Sequence, residues 1–377
     1  MTKGQPIDSH QQVGKPLKIN KLFKTLVAAE ASDLHLKVGL PPKMRISGNL
    51  KTTNAEPLSE EVMEDLIFEL LTPKQKEFFM EHGAIDFAHA LTDIDRFRVN
   101  VFRQKGYIGL VARRIDSRIP PFEKLNLPEI IGDLSDAAYG LVLVVGPTGS
   151  GKSTTIASMI DRINRNRACH IVTIEDPIEY LHRDRKAIVN QREVGIDCVD
   201  FKEALRSLMR QDPDVVLVGE IRDLETLEAA MKAAETGHLV FGTLHASNAA
   251  QTIQRILDMF PQEERDLARQ TFALCVRAII SQQLLKGIQS HAKRVPAIEI
   301  MIGSPIVRKL LSEERESDIP SVIKSSQNEG MQDFTESLRD LIERELIDLD
   351  TALMYAPNKE ELKMALKGIR ATSGAIL

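Results

Sequence analysis

Residues 141–155 read LVLVVGPTGSGKSTT, and the order of elements in this stretch indicates the type of domain. Its first five residues are apolar, which is typical of a strand that is buried on both faces. The strand leads directly into the phosphate-loop pattern G-x-x-x-x-G-K-S/T at residues 146–153. A helix is predicted to follow, and the dipole at its N-terminus favours bound negative charge. The order of strand, glycine loop and helix therefore predicts a site for nucleotide phosphates.

The predicted phosphate site uses both backbone and side-chain groups. Glycines let the backbone turn tightly enough for its N–H groups to face a phosphate. Lys152 is expected to contact the β- and γ-phosphates, and the Ser153 hydroxyl is expected to bind Mg²⁺. ATP and Mg²⁺ are therefore the predicted cofactors. The predicted cofactor-binding residues are Gly146, Pro147, Thr148, Gly149, Ser150, Gly151, Lys152, Ser153 and Thr154.

The composition limits the classes of protein that fit. A chain of 377 residues predicts two domains with separate cores. The net charge of −5 and the lack of tryptophan weigh against a direct nucleic-acid partner, although a translocase channel could hold local positive charge. Three scattered cysteines indicate neither a zinc site nor a disulfide framework and favour a reducing compartment. No transmembrane run or signal peptide is evident, so we expect a soluble protein that reaches a membrane through a partner.

The pattern of elements changes along the chain. The predicted divisions are a disordered lead-in at 1–16, a small α+β domain at 17–117, a linker at 118–129 and a nucleotide-binding domain at 130–377. In this last domain buried strands alternate with helices, which predicts the α/β class with a parallel sheet. Beyond residue 294 the strand signal fades, and residues 306–367 are predicted to be mainly helical.

An acidic pair follows the second strand of the predicted parallel sheet. The stretch IVTIEDPIEY at 171–180 places Glu175 and Asp176 where such a sheet holds its ligands. Glu175 could orient and deprotonate a water for attack on the γ-phosphate. The alternative is a pair of exposed loop acids, and the nearby Pro177 and Glu179 favour the functional interpretation.

Two further strand ends carry candidate polar groups. The stretch PDVVLVGEIR at 213–222 has the form of a Walker B strand, but Glu220 stands one residue beyond the usual aspartate. Glu220 could hold hydrated Mg²⁺, and an ordinary acidic turn is an equally good interpretation from this stretch alone. His245 ends the strand in TGHLVFGTLHASN, where it is either a nucleotide-sensing group or a surface histidine.

Several stretches together resemble a known family. GPTGSGKSTT, TIEDPIEY, LMRQDPDVVLVGEIRD and TGHLVFGTLHASNA are similar to the Walker A, Asp-box, Walker B and His-box motifs of the type II/type IV secretion ATPase superfamily. Within it, SDLHLKVGLPP, RFRVNVF and IPSVIKSSQNEGMQDFTESL resemble the twitching-motility retraction ATPases of type IV pili. The similarity extends from about residue 19 to residue 367.

The resemblance implies a fold, partners and a location. It implies a RecA-like P-loop NTPase domain with a parallel sheet, preceded by a smaller PAS-like α+β domain and followed by a helical C-terminal segment. The implied assembly is a homo-hexameric ring beneath an inner-membrane platform protein, on the cytoplasmic face of the cytoplasmic membrane, without direct nucleic-acid contact. The implied activity is Mg²⁺-dependent ATP hydrolysis coupled to motion between the two domains.

The resemblance also assigns catalytic residues. Beside Lys152, it implies Glu175 as the catalytic glutamate, Glu220 as the Walker B acid and His245 as the His-box histidine. It further implies that Arg98 and Arg113 of the N-terminal domain close over the phosphates. A guanidinium delivered in this way can stabilise the charge of the transition state.

One departure from the family pattern leaves the role open. Residues 306–316 read IVRKLLSEERE where retraction ATPases carry a motif close to AIRNLIREGK, and Arg308, Leu310 and Glu313 match. The chain is then either the main retraction motor or an accessory ATPase beside a second pilus ATPase. A pilus-assembly or type II secretion ATPase, a nucleotide-gated regulator of another motor and a nucleic-acid translocase are the competing functions.

Overall fold

The structure, a computed structural model, describes residues 17–46, 48–92, 95–115, 118–290 and 292–368. The lead-in predicted at 1–16 lies outside these described residues. The chain divides between residues 117 and 118 into two compact units. Each unit has a sheet and a hydrophobic core of its own. Among the residues that the structure describes, no helix combines the length and the apolar character needed to cross a membrane.

The first unit is a small α+β structure around an antiparallel sheet. Its six strands follow the order β3-β2-β1-β6-β5-β4. Fully buried Phe23, Phe79 and Phe97 pack in its core. Its elements are α1 (Asn20–Ala28), β1 (Asp33–Lys37), β2 (Lys43–Ile46), β3 (Asn49–Thr52), α2 (Glu60–Leu70), α3 (Pro73–His82), β4 (Ala84–Ala90), β5 (Arg96–Gln104) and β6 (Tyr107–Ile115).

Local sequence explains where these helices begin. The Ser59 hydroxyl accepts the Val62 N–H and caps α2. At α3, the Thr72 and Gln75 side chains bond each other's backbone N–H groups in a capping box, and Pro73 occupies the first helical position. Along β5, buried residues alternate with more accessible ones, so Arg96 and Arg98 lie on the face away from the core.

The second unit contains the sheet that positions the candidate site. Its seven strands follow the order β13-β12-β7-β11-β10-β8-β9; those from β12 to β9 run parallel, and β13 runs antiparallel to β12. Its elements are α4 (Ile130–Ser135), β7 (Gly140–Val145), α5 (Lys152–Asn166), β8 (His170–Glu175), β9 (Ile188–Glu193), α6 (Phe201–Leu208), β10 (Val215–Val218), α7 (Leu224–Glu235), β11 (Leu239–Leu244), α8 (Ala249–Asp258), α9 (Arg265–Cys275), β12 (Val276–Gln289), β13 (Ala292–Ile302), α10 (Pro305–Ser312), α11 (Ile319–Ser325), α12 (Phe334–Glu343), α13 (Leu349–Tyr355) and α14 (Lys359–Leu366).

Apolar side chains cover both faces of this sheet. Every residue of β7, β10 and β11 is buried. Along β7, Leu141 and Leu143 belong to one hydrophobic cluster, whereas Val142 and Val144 belong to another on the opposite face. Strands buried on both sides require helices on both faces. The predicted α/β class with a mostly parallel sheet and a helical C-terminal region is therefore confirmed.

The expectation that strands fade beyond residue 294 is wrong. Strand β13 continues past that point to Ile302, and it pairs with β12 before the C-terminal helices begin. Ser281 and Gln282 interrupt the apolar pattern of β12, although both are buried. Pro296 lies within β13, and proline is tolerated there because β13 is an edge strand.

Candidate functional site

The loop after β7 has a backbone that only glycine fits at two positions. Gly146 has φ 149° and Gly151 has φ 90°, both in the region that disfavours side chains. A Cβ atom on Gly146 would lie 2.3 Å from the backbone oxygen of Gln282. A Cβ atom on Gly151 would lie 2.8 Å from Nε2 of the same residue. Helix α5 begins directly after Gly151, so its first N–H groups are available to an anion.

A cavity of about 490 Å³ opens at this loop. The carboxyl ends of the parallel strands β8, β10 and β11 reach the same edge of the sheet, which brings their following residues together. Of the predicted site residues, the cavity is lined by Thr148, Gly149, Gly151, Lys152, Ser153, Thr154, Glu175, Glu220 and His245. Gly146, Pro147 and Ser150 shape the loop behind this lining.

Lys152 folds back on the loop that precedes it. Its Nζ donates to the backbone oxygen of Gly146 at 2.9 Å and of Pro147 at 3.1 Å. Burial lowers the pKa of Lys152, while the charges of Glu220 and Glu179 oppose that shift. The ammonium group therefore lies at the phosphate loop beside two carboxylates, where it can compensate negative charge.

Glu175 is held as a candidate general base. Its Oε1 accepts the Thr173 hydroxyl at 2.7 Å and the Gln191 side-chain amide at 3.1 Å. The Gln191 amide also donates to the backbone oxygen of Tyr180 at 2.8 Å, which fixes its orientation. Burial raises the pKa of Glu175 to about 7, against the lowering effect of these hydrogen bonds. A carboxyl group with such a pKa can accept a proton near neutral pH.

Glu220 and His245 form a pair at the ends of adjacent strands. Nε2 of His245 lies 3.2 Å from Oε1 of Glu220, and Arg222 donates to Oε2 of Glu220 at 2.6 Å. The hydrogen bond from Arg222 lowers the pKa of Glu220, so this carboxylate is ionised at neutral pH. Because β10 and β11 are parallel neighbours, the sheet itself accounts for the pairing.

The oxygen groups in the cavity suit Mg²⁺ that is bound jointly by the protein and a nucleotide. They do not form a site in which every metal ligand comes from the protein. Ser153 and Glu220 both line the cavity. Across the described ranges of the chain, no group of three or more His, Cys, Asp or Glu side chains could hold a metal ion. Mg²⁺ commonly takes one or two protein ligands together with phosphate and water oxygens. The Ser153 hydroxyl and the Glu220 carboxylate would provide those protein ligands.

Gln282 was not predicted as a site residue. From β12 its Nε2 donates to the backbone oxygen of Ser150 at 2.6 Å, and its Oε1 accepts the Thr155 hydroxyl at 2.8 Å. It thereby connects the phosphate loop with the first turn of α5. A polar Ser-Gln pair within an apolar stretch is the sequence signal that could have identified it. Gln191, which orients Glu175, was missed because it lies in the unpredicted strand β9.

The two predicted arginines belong to the first unit. Arg98 of β5 and Arg113 of β6 are directly opposite each other, so they share one face of the sheet. Nε of Arg113 donates to Asp33 at 2.8 Å, while the Arg113 side chain is 74% exposed. Nε of Arg98 lies 3.8 Å from Asp86. Their action on a nucleotide in the second unit stays a prediction.

Known proteins share this architecture. A family model described as "Type II/IV secretion system protein" matches residues 123–365. The type IV pilus retraction ATPase PilT of Pseudomonas aeruginosa is 45% identical over 336 residues, which cover 89% of this chain and 97% of that protein. The type IV pilus ATPase PilU of the same organism is 37% identical over 351 residues, covering 93% and 92%.

A solved structure gives the same result. The crystal structure of the pilus retraction motor PilT with bound ADP is 43% identical and matches with a TM-score of 0.84, covering 92% of this chain and 99% of that one. The predicted resemblance is thus confirmed over most of the sequence. With its phosphate loop, parallel sheet and acidic strand ends, the chain belongs to the type II/IV secretion system protein family.

Proposed function

We propose that this protein is a Mg²⁺-dependent ATPase motor that powers retraction of type IV pili. The observation that carries the proposal is the cavity in which Lys152, Glu175 and Glu220 meet from three separate segments. The similarity to PilT, named as a retraction ATPase and solved with bound ADP, supports the same activity here.

The cavities suggest how ATP lies in the site. A second cavity of about 190 Å³ shares Gly151, Thr154, Leu284 and Arg294 with the first. Leu125, Leu127 and Pro296 give it an apolar lining suited to a nucleoside. We place the phosphates against the loop and the first turn of α5, and the base toward the second cavity.

Hydrolysis then follows from the positions of the side chains. Glu175 accepts a proton from a water molecule as the oxygen of that water attacks the γ-phosphorus. The bond between the γ-phosphorus and the β-phosphate oxygen then breaks, which leaves ADP and phosphate. Ser153 and Glu220 would hold Mg²⁺, and the ion would then supply positive charge that offsets the charge of the phosphates. Lys152 contributes a further positive charge at the same phosphates.

The assembly is part of the proposal. Motion of the PAS-like unit at 17–117 relative to the RecA-like unit at 130–377 performs the work, and Arg98 and Arg113 respond to the γ-phosphate. The proposed partners are further copies of the chain in a homo-hexamer and an inner-membrane platform protein at the cytoplasmic face. A second candidate role is an accessory ATPase beside another pilus ATPase, favoured by the divergent stretch at 306–316.

Two experiments test this proposal. In purified protein, Lys152→Ala and Glu175→Ala should abolish steady-state hydrolysis, whereas Lys232→Ala, on the exposed side of α7, should not. In the source organism, deletion should leave surface pili that no longer retract when labelled fibres are imaged. Cells without pili would support an assembly ATPase instead, and unchanged retraction would contradict a role as the main motor.

A further inference from the structure

A partly buried carboxylate on β13, that of Glu299, has no part in the proposed hydrolysis. Oε1 of Glu299 accepts the backbone N–H of Ala249 at 2.7 Å and the Ser281 hydroxyl at 3.3 Å. Burial raises the pKa of Glu299 to about 6, although both hydrogen bonds oppose the shift. Removing a carboxylate from water costs free energy unless hydrogen bonds or opposite charges compensate for the loss. Its contacts therefore indicate a role for Glu299.

The contact with Ala249 anchors the start of α8. Ala249 is the first residue of this helix, and the preceding Asn248 accepts the Gln251 N–H at 2.8 Å. Glu299 satisfies an additional N–H at the positive end of the helix dipole. The charge and the hydrogen bond together fix where α8 begins relative to β13.

The same helix also holds His245. Nη1 of Arg255, which lies in α8, donates to the backbone oxygen of His245 at 2.8 Å. Only three residues separate His245 from Ala249, so the connecting turn is held at both of its ends. A displacement of the start of α8 would consequently displace His245 from its position 3.2 Å from Glu220.

Strand β13 gives this anchor a fixed base. On either side of Glu299, the Ile298 N–H donates to the Ser337 hydroxyl at 2.9 Å and the Ile300 N–H donates to the Gln332 oxygen at 2.7 Å. The other edge of β13 pairs with β12 along most of its length. Backbone hydrogen bonds on both edges therefore restrain Glu299.

We propose that Glu299 is a positioning residue that sets His245 against Glu220 by anchoring the N-terminus of α8. The inference rests on the proposed function only in giving His245 its place at the nucleotide. The hydrogen bonds of Glu299 go to Ala249 and Ser281 rather than to the phosphate loop, so it acts on turnover through α8 and leaves that loop in place.

A matched pair of variants tests this role in the full chain. Glu299→Met removes the acceptor while preserving the length and burial of the side chain, and Glu299→Gln retains an oxygen for the Ala249 N–H. In Glu299→Met we expect kcat to fall about tenfold with little change in KM for ATP. In Glu299→Gln we expect kcat to fall by less than about twofold. Ser281→Ala, which keeps the bond to Ala249, is the control and should behave like the natural protein.

An independent measurement uses the imidazole ring of His245. In histidine-labelled protein without nucleotide, its NMR resonance is identified as the signal that disappears in His245→Gln. This resonance should move in Glu299→Met and return toward its original position in Glu299→Gln. An unmoved resonance in Glu299→Met, or equal displacement in both variants, would overturn the proposal. Absence of ATP hydrolysis by the natural protein would count against the proposed function alone, because this resonance is read without turnover.

Discussion

Glu175 makes the protein less stable when it is ionised. Folding raises its pKa from an ordinary 4.5 to about 7, mainly through burial. A group with a raised pKa contributes stability that is present below the ordinary value and is lost as pH rises through the folded value. The carboxyl group that hydrolysis needs is therefore also a source of instability at and above neutral pH.

Glu175→Gln should consequently stabilise the protein in a pH-dependent manner. At pH 8 we expect a gain of about 1–3 kcal/mol in the free energy of unfolding, which shrinks toward zero near pH 4.5. Denaturant unfolding at both pH values measures the difference. A gain of equal size at both would mean that ionisation of Glu175 is not its cause.

Gln282 should support both folding and nucleotide binding. Gln282→Leu leaves the Ser150 oxygen and the Thr155 hydroxyl without their partner, at a cost of about 1–3 kcal/mol. The affinity for a fluorescent ADP analogue should fall about tenfold, because the loop loses the group that fixes its geometry. The neighbouring Gln283→Leu is the matched control, and equal loss of affinity in both variants would argue against this role for Gln282.

The phosphate loop depends on its contact with β12 as well as on its unusual backbone. Gly149 has φ 80° and open space where a Cβ would lie, whereas Gly146 has φ 149° and a Cβ there would meet β12 at 2.3 Å. Gly149→Ala should cost only the strain of the left-handed conformation, about 1–2 kcal/mol. Gly146→Ala should cost about 3 kcal/mol or more and abolish nucleotide binding, as measured by unfolding and by ADP titration. Similar costs at both positions would contradict the role given to the contact with β12.

The elements that the sequence predicts are those whose signal is local. Strand β7 is recognisable because five apolar residues precede a phosphate-loop pattern, and Glu220 and His245 are recognisable because each follows a short apolar strand. Strands β12 and β13 were missed because polar residues interrupt the apolar pattern of β12 and because Pro296, a residue uncommon in strands, lies in β13. The contact of Gln282 with Thr155 spans 127 residues and depends on the register of β12 against β7, which no local pattern specifies.

The proposed coupling between the two units depends on the arginines of the first unit. Arg113→Ala should lower kcat by about 10³-fold if its guanidinium stabilises charge in the transition state. Arg45→Ala is the control, since Arg45 also lies near Asp33, at 3.6 Å from its carboxylate. A steady-state assay compares the two variants, and thermal unfolding checks that the first unit remains folded. Equal activity in both would remove Arg113 from the mechanism.

Hydrogen bonds protect the backbone on the outer side of β13. The Gln332 backbone oxygen and the Ser337 hydroxyl accept hydrogen bonds from N–H groups of β13 that would otherwise be exposed at an open sheet edge. If a protease cuts the chain shortly before Gln332 and the C-terminal part is lost, the outer edge of β13 should become exposed. Other chains could then pair with that edge, so we expect the shortened protein to precipitate as fibrous aggregates. The C-terminal segment therefore protects the protein from self-association through this strand edge.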